Sequence, residues 1–211
     1  GVVPSQEIHD AVKRVKNKSN KAVIASMGTV AASGGYYIAA ATDRIIANPG
    51  TLTGSIGVIM EMANFEGLMK KVGVEGVVIK SGRFKDVGSP LRKMSDEERK
   101  LLQSVMDDVH HQFIQAVADG RSLEVSDVEP LADGRIYTGR QAKDARLVDE
   151  LGDLDDAIHI AADIAGMEGE PKVVEPRKRF SFRDIIESRW ASVFPRLELN
   201  TGAKLKYLMA F

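Results

Sequence analysis

The stretch that decides the fold is Val23-Ile-Ala-Ser-Met-Gly-Thr-Val-Ala-Ala-Ser33-Gly34-Gly35-Tyr-Tyr-Ile-Ala-Ala40. Residues 23–26 form a short apolar run of the kind that makes a buried strand. Residues 34–40 are small or apolar and carry no charge, as in a helix packed on all sides. Ser33 lies between them. A serine at a strand-to-helix turn has its hydroxyl near the positive end of a helix, where free backbone N–H groups favour developing negative charge. Gly34 and Gly35 present no side chain to block another chain from lying against the turn. Ser33 is therefore a candidate nucleophile, although serine at this place is also an ordinary helix cap.

Working outward, Ser5 is expected to cap a helix reaching to about Asn17, with Ile8, Val12 and Val15 on its inner face and His9 at the surface. Residues 43–47 read as a second strand, stopped by Asn48-Pro49-Gly50. In residues 51–60, Gly54 and Gly57 among β-branched neighbours mark a strand that another backbone approaches closely. A helix over 64–72 ends at Gly73, and residues 77–79 (Val-Val-Ile) read as a third strand. This alternation argues for a mainly parallel sheet flanked by helices. After a Gly-rich loop over 81–90, Ser95 and Glu98 form a capping box that opens a long amphipathic helix to about Gly120. Short helices over 125–131 and 139–145 follow, with a brief strand at Ile136-Tyr137. Residues 147–152 read as a helix exit, 154–165 as an amphipathic helix and 172–174 as a short strand. A basic run, a helix over 181–193 and a weakly periodic tail complete the chain.

The 211 residues are 44% hydrophobic and 28% charged, an ordinary soluble composition. The net charge of −1 gives no reason to expect nucleic acid as a partner. With no cysteine there is neither a disulfide nor a thiolate metal site. The four histidines (His9, His110, His111, His159) lack ligand spacing, so no metal and no cofactor is expected. They are also expected on charged, exposed helix faces, His110 and His111 facing solvent, rather than on loops, which disfavours a Ser–His–Asp arrangement. The other way to activate a serine is a lysine whose pKa is pulled from about 10.4 toward roughly 7 to 8 by burial. Lys85, between Phe84 and Asp86 in the 81–90 loop, is the candidate.

Three blocks now carry a resemblance: Ala32-Ser33-Gly34-Gly35-Tyr36-Tyr37, Thr53-Gly54-Ser55-Ile56-Gly57-Val58, and Ser81-Gly82-x-x-Lys85-Asp86-x-Gly88-Ser89-Pro90. A fourth runs from Ala132-Asp133-Gly134-Arg135 through Thr138-Gly139-Arg140 to Leu147-Val148-Asp149. In this order they resemble the signature of the signal peptide peptidase A family. The resemblance implies an α/β fold like that of crotonase and the Clp protease, with residues 1–166 as the catalytic domain and 167–211 as a C-terminal extension. It implies a serine endopeptidase with a Ser–Lys dyad, Ser33 as nucleophile and Lys85 as general base, acting on cleaved signal peptides at the membrane.

It further implies a homo-oligomeric ring in which Lys85 of one subunit completes the Ser33 site of the next. Gly1, Gly34 and Gly35 would bind substrate and the oxyanion, and Ser55 would orient the lysine. The chain opens at Gly1-Val2-Val3-Pro4 without an initiator methionine. It reads as a fragment or processed form, with upstream strands and a membrane anchor expected before it and the catalytic part outside the cytoplasm. Competing readings are a capsid or general cytoplasmic peptidase of the same superfamily, a crotonase-like enzyme acting on acyl thioesters, and a catalytically inactive assembly ring.

Overall fold

The computed structural model describes residues 1–175. The helix α1 (Val2–Ser19) leads into β1 (Ile24–Met27), β2 (Val30–Ala32) and α2 (Gly34–Ala39). Next come β3 (Arg44–Ala47), β4 (Leu52–Gly54), α3 (Glu66–Val72) and the long α4 (Asp96–Arg121). The order closes with α5 (Val125–Val128), a 3₁₀ turn at Glu129–Leu131, β5 (Ile136–Thr138), α6 (Gly139–Asp144), β6 (Glu150–Leu151) and α7 (Leu154–Ile164).

The strands make two sheets. One has the order β1-β3-β6 with every pairing parallel; the other has the order β2-β4-β5, parallel between β2 and β4 and antiparallel between β4 and β5. The chain steps from the first sheet to the second twice, between Met27 and Val30 and again between Ala47 and Leu52. The two steps are bonded to each other: Thr51 Oγ1 donates to the Gly28 carbonyl at 2.8 Å and the Leu52 N–H to that of Thr29 at 2.9 Å. This is the mainly parallel α/β architecture, flanked by helices, that the motifs imply for a Clp-protease-like fold.

Tyr36, Ile45, Ile46, Ile56, Phe113, Val117, Val128 and Leu147 are fully buried between the sheets and helices. Burial of side chains this size stabilises by roughly 1.5–3 kcal/mol each. The polar end of Tyr36 is satisfied by donating to the Leu147 carbonyl at 2.8 Å. Asp149 ties the segment entering β6 to β3 and α4. Its carboxylate takes the Ile45 N–H at 2.7 Å and a two-pronged contact from Arg121 at 2.6 and 2.8 Å.

Gly120 is where α4 crosses the end of α2. A Cβ there would sit 1.9 Å from the Ala40 carbonyl oxygen. Gly120→Ala therefore costs about 1–3 kcal/mol of overpacking, offset by up to about 1 kcal/mol of helix propensity. A net loss of about 1–2 kcal/mol is expected in a urea titration. An unchanged midpoint would mean the two helices do not meet at this spacing.

Several local expectations are corrected. The first helix begins at Val2 with Gly1 as N-cap, and Ser5 lies inside it, its hydroxyl donating to the Gly1 carbonyl at 3.1 Å. The helix is turned so that Val2, Ser5 and His9 are buried while Ile8 and Val15 are about half exposed. His9 is thus a core residue, its ring 4.9 Å from that of Tyr37 and its Nδ1 3.1 Å from Asp10 Oδ1. His110 is half-buried, and its Nε2 lies 2.7 Å from the Ala132 carbonyl oxygen. Residues 77–79 form no strand; Val77 and Ile79 are 84% and 97% exposed and pair with no strand among the described residues. Strand propensity without a neighbour leaves the ladder unmade. The same holds for residues 172–174. Residues 51–60 give a regular strand only over Leu52–Gly54, and the helix exit at 147–152 contains β6, which pairs with β3. The basic run at 177–179, the helix over 181–193 and the tail lie outside the described residues.

Candidate active site

Ser33 is the hinge between β2 and α2. Its backbone has φ 53° and ψ −117°, a conformation that costs a non-glycine residue of order 1–3 kcal/mol. Two bonds hold it there: the Ser33 N–H donates to the Gly54 carbonyl at 2.8 Å, and the Ser33 carbonyl accepts the Tyr37 N–H at 2.8 Å. The residue is 2% exposed, and its Oγ has no hydrogen-bond partner among the described residues. It does not cap the helix, since no side-chain bond to the first turn is formed. A buried hydroxyl left unpaired costs roughly 1–3 kcal/mol. A serine on a strained strand-to-helix turn is the backbone arrangement of the nucleophile elbow in other serine hydrolases.

Gly34 and Gly35 open α2 directly after the serine. A Cβ at Gly35 would meet only Ala31 Cβ, at 4.0 Å, so this face of the turn is open to a chain lying along it. Gly54, whose carbonyl fixes Ser33, has φ 73°, and a Cβ there would sit 2.4 Å from the Tyr137 ring. At Gly57 a Cβ would lie 3.3 Å from Gly134 Cα. The close backbone approach anticipated from these two glycines is real, and the neighbour is the 134–137 segment leading into β5.

Ser55 follows Gly54 with φ 50°, is buried, and donates its N–H to the Arg135 carbonyl at 2.8 Å. It lines a cavity of about 420 Å³ together with Gly57, Val58, Met106, His110 and Gly134. A second cavity, about 620 Å³, shares Val58, Ile59, Gln103 and Met106 with it and adds Met60, Met62 and Met94. Met60, Met62 and Met94 give the second cavity an adaptable apolar part, and Arg92, Lys93 and Arg99 line the rest of it. Gly1 sits at the N-cap of α1, its carbonyl taken by the N–H and hydroxyl of Ser5.

Lys85 lies elsewhere. It is exposed, in a tight turn over 81–88 closed by its own N–H donating to the Gly82 carbonyl at 3.1 Å. Lys85 and Ser33 make no hydrogen bond to each other within the chain, because the serine oxygen has no partner there. The structure therefore brings Ser33, Gly34, Gly35 and Ser55 together and leaves Lys85 on a separate arm.

That arm is held by a charge cluster that sequence reading did not single out. Asp86 Oδ1 accepts from Lys80 Nζ at 2.5 Å and Asp86 Oδ2 from Arg92 Nε at 2.8 Å. The same guanidinium makes a two-pronged contact with Glu98, the residue that closes the capping box of α4. Arg92 first, then the Ser95 N–H, hold the Glu98 carboxyl down at about 2. The capping box was visible in the sequence; that its glutamate also grips an arginine six residues upstream had no periodic signal.

Among the described residues no group of three or more His, Asp or Glu side chains is placed to hold a metal ion. No helix among them is long and apolar enough to cross a membrane.

Comparison with known proteins places this geometry in a class. The profile of peptidase family S49 matches residues 15–168, and the chain belongs to that family. Proteins named as proteases are among its relatives. A protein of Synechocystis sp. whose name calls it a putative protease is 49% identical over 82% of this chain and 61% of its own length. The protein of Enterococcus faecium named "Putative signal peptide peptidase SppA" is 42% identical over 75% of this chain and 46% of its own length. The "Serine protease SPPA, chloroplastic" of Arabidopsis thaliana is 38% identical over 82% of this chain but only 26% of its own length. The chain thus spans about half the length of the first two relatives.

Proposed function

We propose that the protein is a serine endopeptidase in which Ser33 is the nucleophile and Lys85 the general base. The observation that carries this reading is the Ser33 hydroxyl, buried, strained at its backbone and without a partner in its own chain. A base must come from outside the described site, and an exposed lysine on a projecting turn suits one supplied by a neighbouring subunit. Neutral Lys85 takes the Ser33 proton, and Oγ attacks the carbonyl carbon of a peptide lying along Gly34-Gly35. The N–H of Gly34, with that of Gly1, holds the oxyanion. The lysine then gives the proton to the leaving amine, and a water activated by the same amine hydrolyses the ester. In this reading the Ser55 hydroxyl orients the incoming lysine.

Ring assembly follows from this division of labour, since a heterologous interface that closes brings each arm to the next subunit's serine. The substrate class is apolar peptide. The cavity beside Ser55 is lined in part by Val58, Ile59, Met106 and Ile136, and that apolar part suits the cores of cleaved signal peptides. Work at the membrane surface, with the catalytic part outside the cytoplasm, accords with that substrate and with the relative named as a signal peptide peptidase.

The test is covalent labelling. A fluorophosphonate is expected to add to Ser33 in the wild-type protein, located by peptide mass spectrometry, and to leave Lys85→Met unlabelled. Incubation with a detergent-solubilised signal peptide is expected to give internal fragments from the wild type alone. Label on another serine, or an intact signal peptide, would overturn the assignment.

A further inference from the structure

The two cavities beside the site are opposite in charge. Arg92, Lys93 and Arg99 line the second, and no Asp or Glu does. The first is lined by Asp107 and Asp133 and by no Lys or Arg. Val58, Ile59, Gln103 and Met106 belong to both, so the cavities are neighbours along one wall, and α4 forms much of it. Arg99, Leu102, Gln103 and Met106 follow one another at helical spacing on a single face of that helix, and His110 continues the face into the first cavity. At about 1.5 Å per residue the face runs roughly 16 Å from Arg99 to His110. That is room for about five residues of extended peptide.

The three cations of the second cavity are not equally free. The Arg92 Nε donates to Asp86 Oδ2 at 2.8 Å, and its other two nitrogens grip Glu98, so two carboxylates answer its charge. Arg99 has no acid partner among the described residues, and the Lys93 side chain makes no ion pair there. Lys93 lies in the field of Glu66, but that carboxylate already takes Lys70 Nζ at 2.6 Å and the Lys93 N–H at 2.9 Å. Arg99 is thus unmatched and Lys93 only shares an acid. Both border a cavity whose remaining wall includes Met60, Met62 and Met94.

An apolar peptide carries one anion whatever its sequence, the carboxylate at its C-terminus. We propose that Lys93 and Arg99 form a binding site for that carboxylate. The peptide then lies along the α4 face with its C-terminus in the second cavity, and its chain runs back past Ser55 toward Ser33. The direction follows from the charges: Asp107, whose carboxylate accepts only from Gln103 at 2.7 Å, disfavours a second carboxylate in the first cavity. Asp133 adds less, because Arg135 is paired with it. Ser55 connects the face to the nucleophile, since it follows Gly54, whose carbonyl holds the Ser33 N–H. The inference rests on the peptidase reading of Ser33 and narrows its substrate to apolar peptides with a free C-terminus, the end that cleavage of a longer chain leaves.

The experiment is isothermal titration of full-length assembled Ser33→Ala protein with an N-acetylated peptide of Leu, Ala and Ser. The peptide is about ten residues long, enough to exceed the face, and is used both as the free acid and as the C-terminal amide. The acid is expected to bind roughly tenfold more tightly, the scale of a hydrogen bond to a charged group. That margin narrows as salt is raised, because the site is open to solvent. Lys93→Gln and Arg99→Gln, added to Ser33→Ala, each reduce the margin, and together they bring it to about one while amide binding stays where it was. Lys93→Arg and Arg99→Lys keep the charge and keep the margin.

Equal binding of acid and amide overturns the proposal, and so does a margin that survives the double Gln variant. If the double variant does not fold, the salt series decides, and a margin indifferent to salt overturns it. An amide peptide with one internal Glu separates the sources of the carboxylate: if only this peptide gains affinity, the site reads an acidic side chain and the chain-end proposal falls. Turnover by the wild-type protein keeps the two readings apart. If neither peptide is cut, the peptidase reading falls and the inference with it. If both are cut with the same kcat/KM and bind alike, only the inference falls.

Discussion

Ser33→Ala is expected to abolish peptide hydrolysis and, at the same time, to make the protein more stable. Removing the nucleophile of a serine peptidase lowers kcat by roughly four to six orders of magnitude. The gain in stability has a separate cause. The Ser33 hydroxyl is buried with no partner in its chain, so deleting it removes an unmet desolvation cost of about 1–3 kcal/mol.

Ser33→Gly goes further, because glycine also relieves the backbone at φ 53°. The expected order of unfolding free energy is Gly, then Ala, then Ser, with each step on the order of 1 kcal/mol. Urea denaturation of the three proteins, beside their peptide turnover, checks both halves. A serine that proved the most stable of the three would be a structural residue, and the turn would have no claim to be a nucleophile.

Lys85→Met is expected to lower turnover nearly as far, by at least three orders of magnitude, since the serine is a poor nucleophile without a base. It is expected to leave stability within about 0.5 kcal/mol, because the side chain is exposed and the turn that carries it is held by Asp86 and Arg92. Binding of a peptide to the assembled protein persists. Loss of activity with folding and peptide affinity retained is what distinguishes a base from a residue that merely shapes the arm. Isothermal titration with an uncleavable apolar peptide, run beside the kinetic assay, reads that difference.

How far the sequence reached depended on whether the signal was local. The helix after Ser33 was legible from a run of small and apolar residues, and the structure places α2 over Gly34–Ala39. The capping box at Ser95 and Glu98 is a four-residue pattern and is present as read. Gly54 and Gly57 announced close packing because only a missing side chain permits it, and the 134–137 segment fills that space.

Apart from the helix start, read at Ser5 and found at Val2, the failures are non-local. His9 looked like a surface histidine because Ile8, Val12 and Val15 offered a better apolar stripe, but the rotation of α1 is fixed by where Tyr37 and Phe113 lie. Residues 77–79 have strand composition and no strand to pair with among the described residues. The two-residue strand β6 exists only because β3 is beside it. At the candidate site, Ser33 and Lys85 were each singled out from motifs. Neither motif shows what the structure does: the serine buried and unpartnered, the lysine exposed on an arm held by a charge cluster.

The central claim is that one catalytic site is assembled from Ser33 and Lys85 of different subunits. The most direct measurement mixes equal amounts of Ser33→Ala and Lys85→Met protein, dissociates and reassembles them, and assays the product. Each variant alone is expected to be inactive. In a mixed ring a complete site forms where a Lys85→Met subunit, with its serine intact, meets the lysine of a Ser33→Ala subunit, so roughly a quarter of wild-type activity returns. If the variants reassemble together and the mixture stays inactive, the dyad is not shared between subunits. If either variant alone cleaves peptide at the wild-type rate, the two residues are not the catalytic pair.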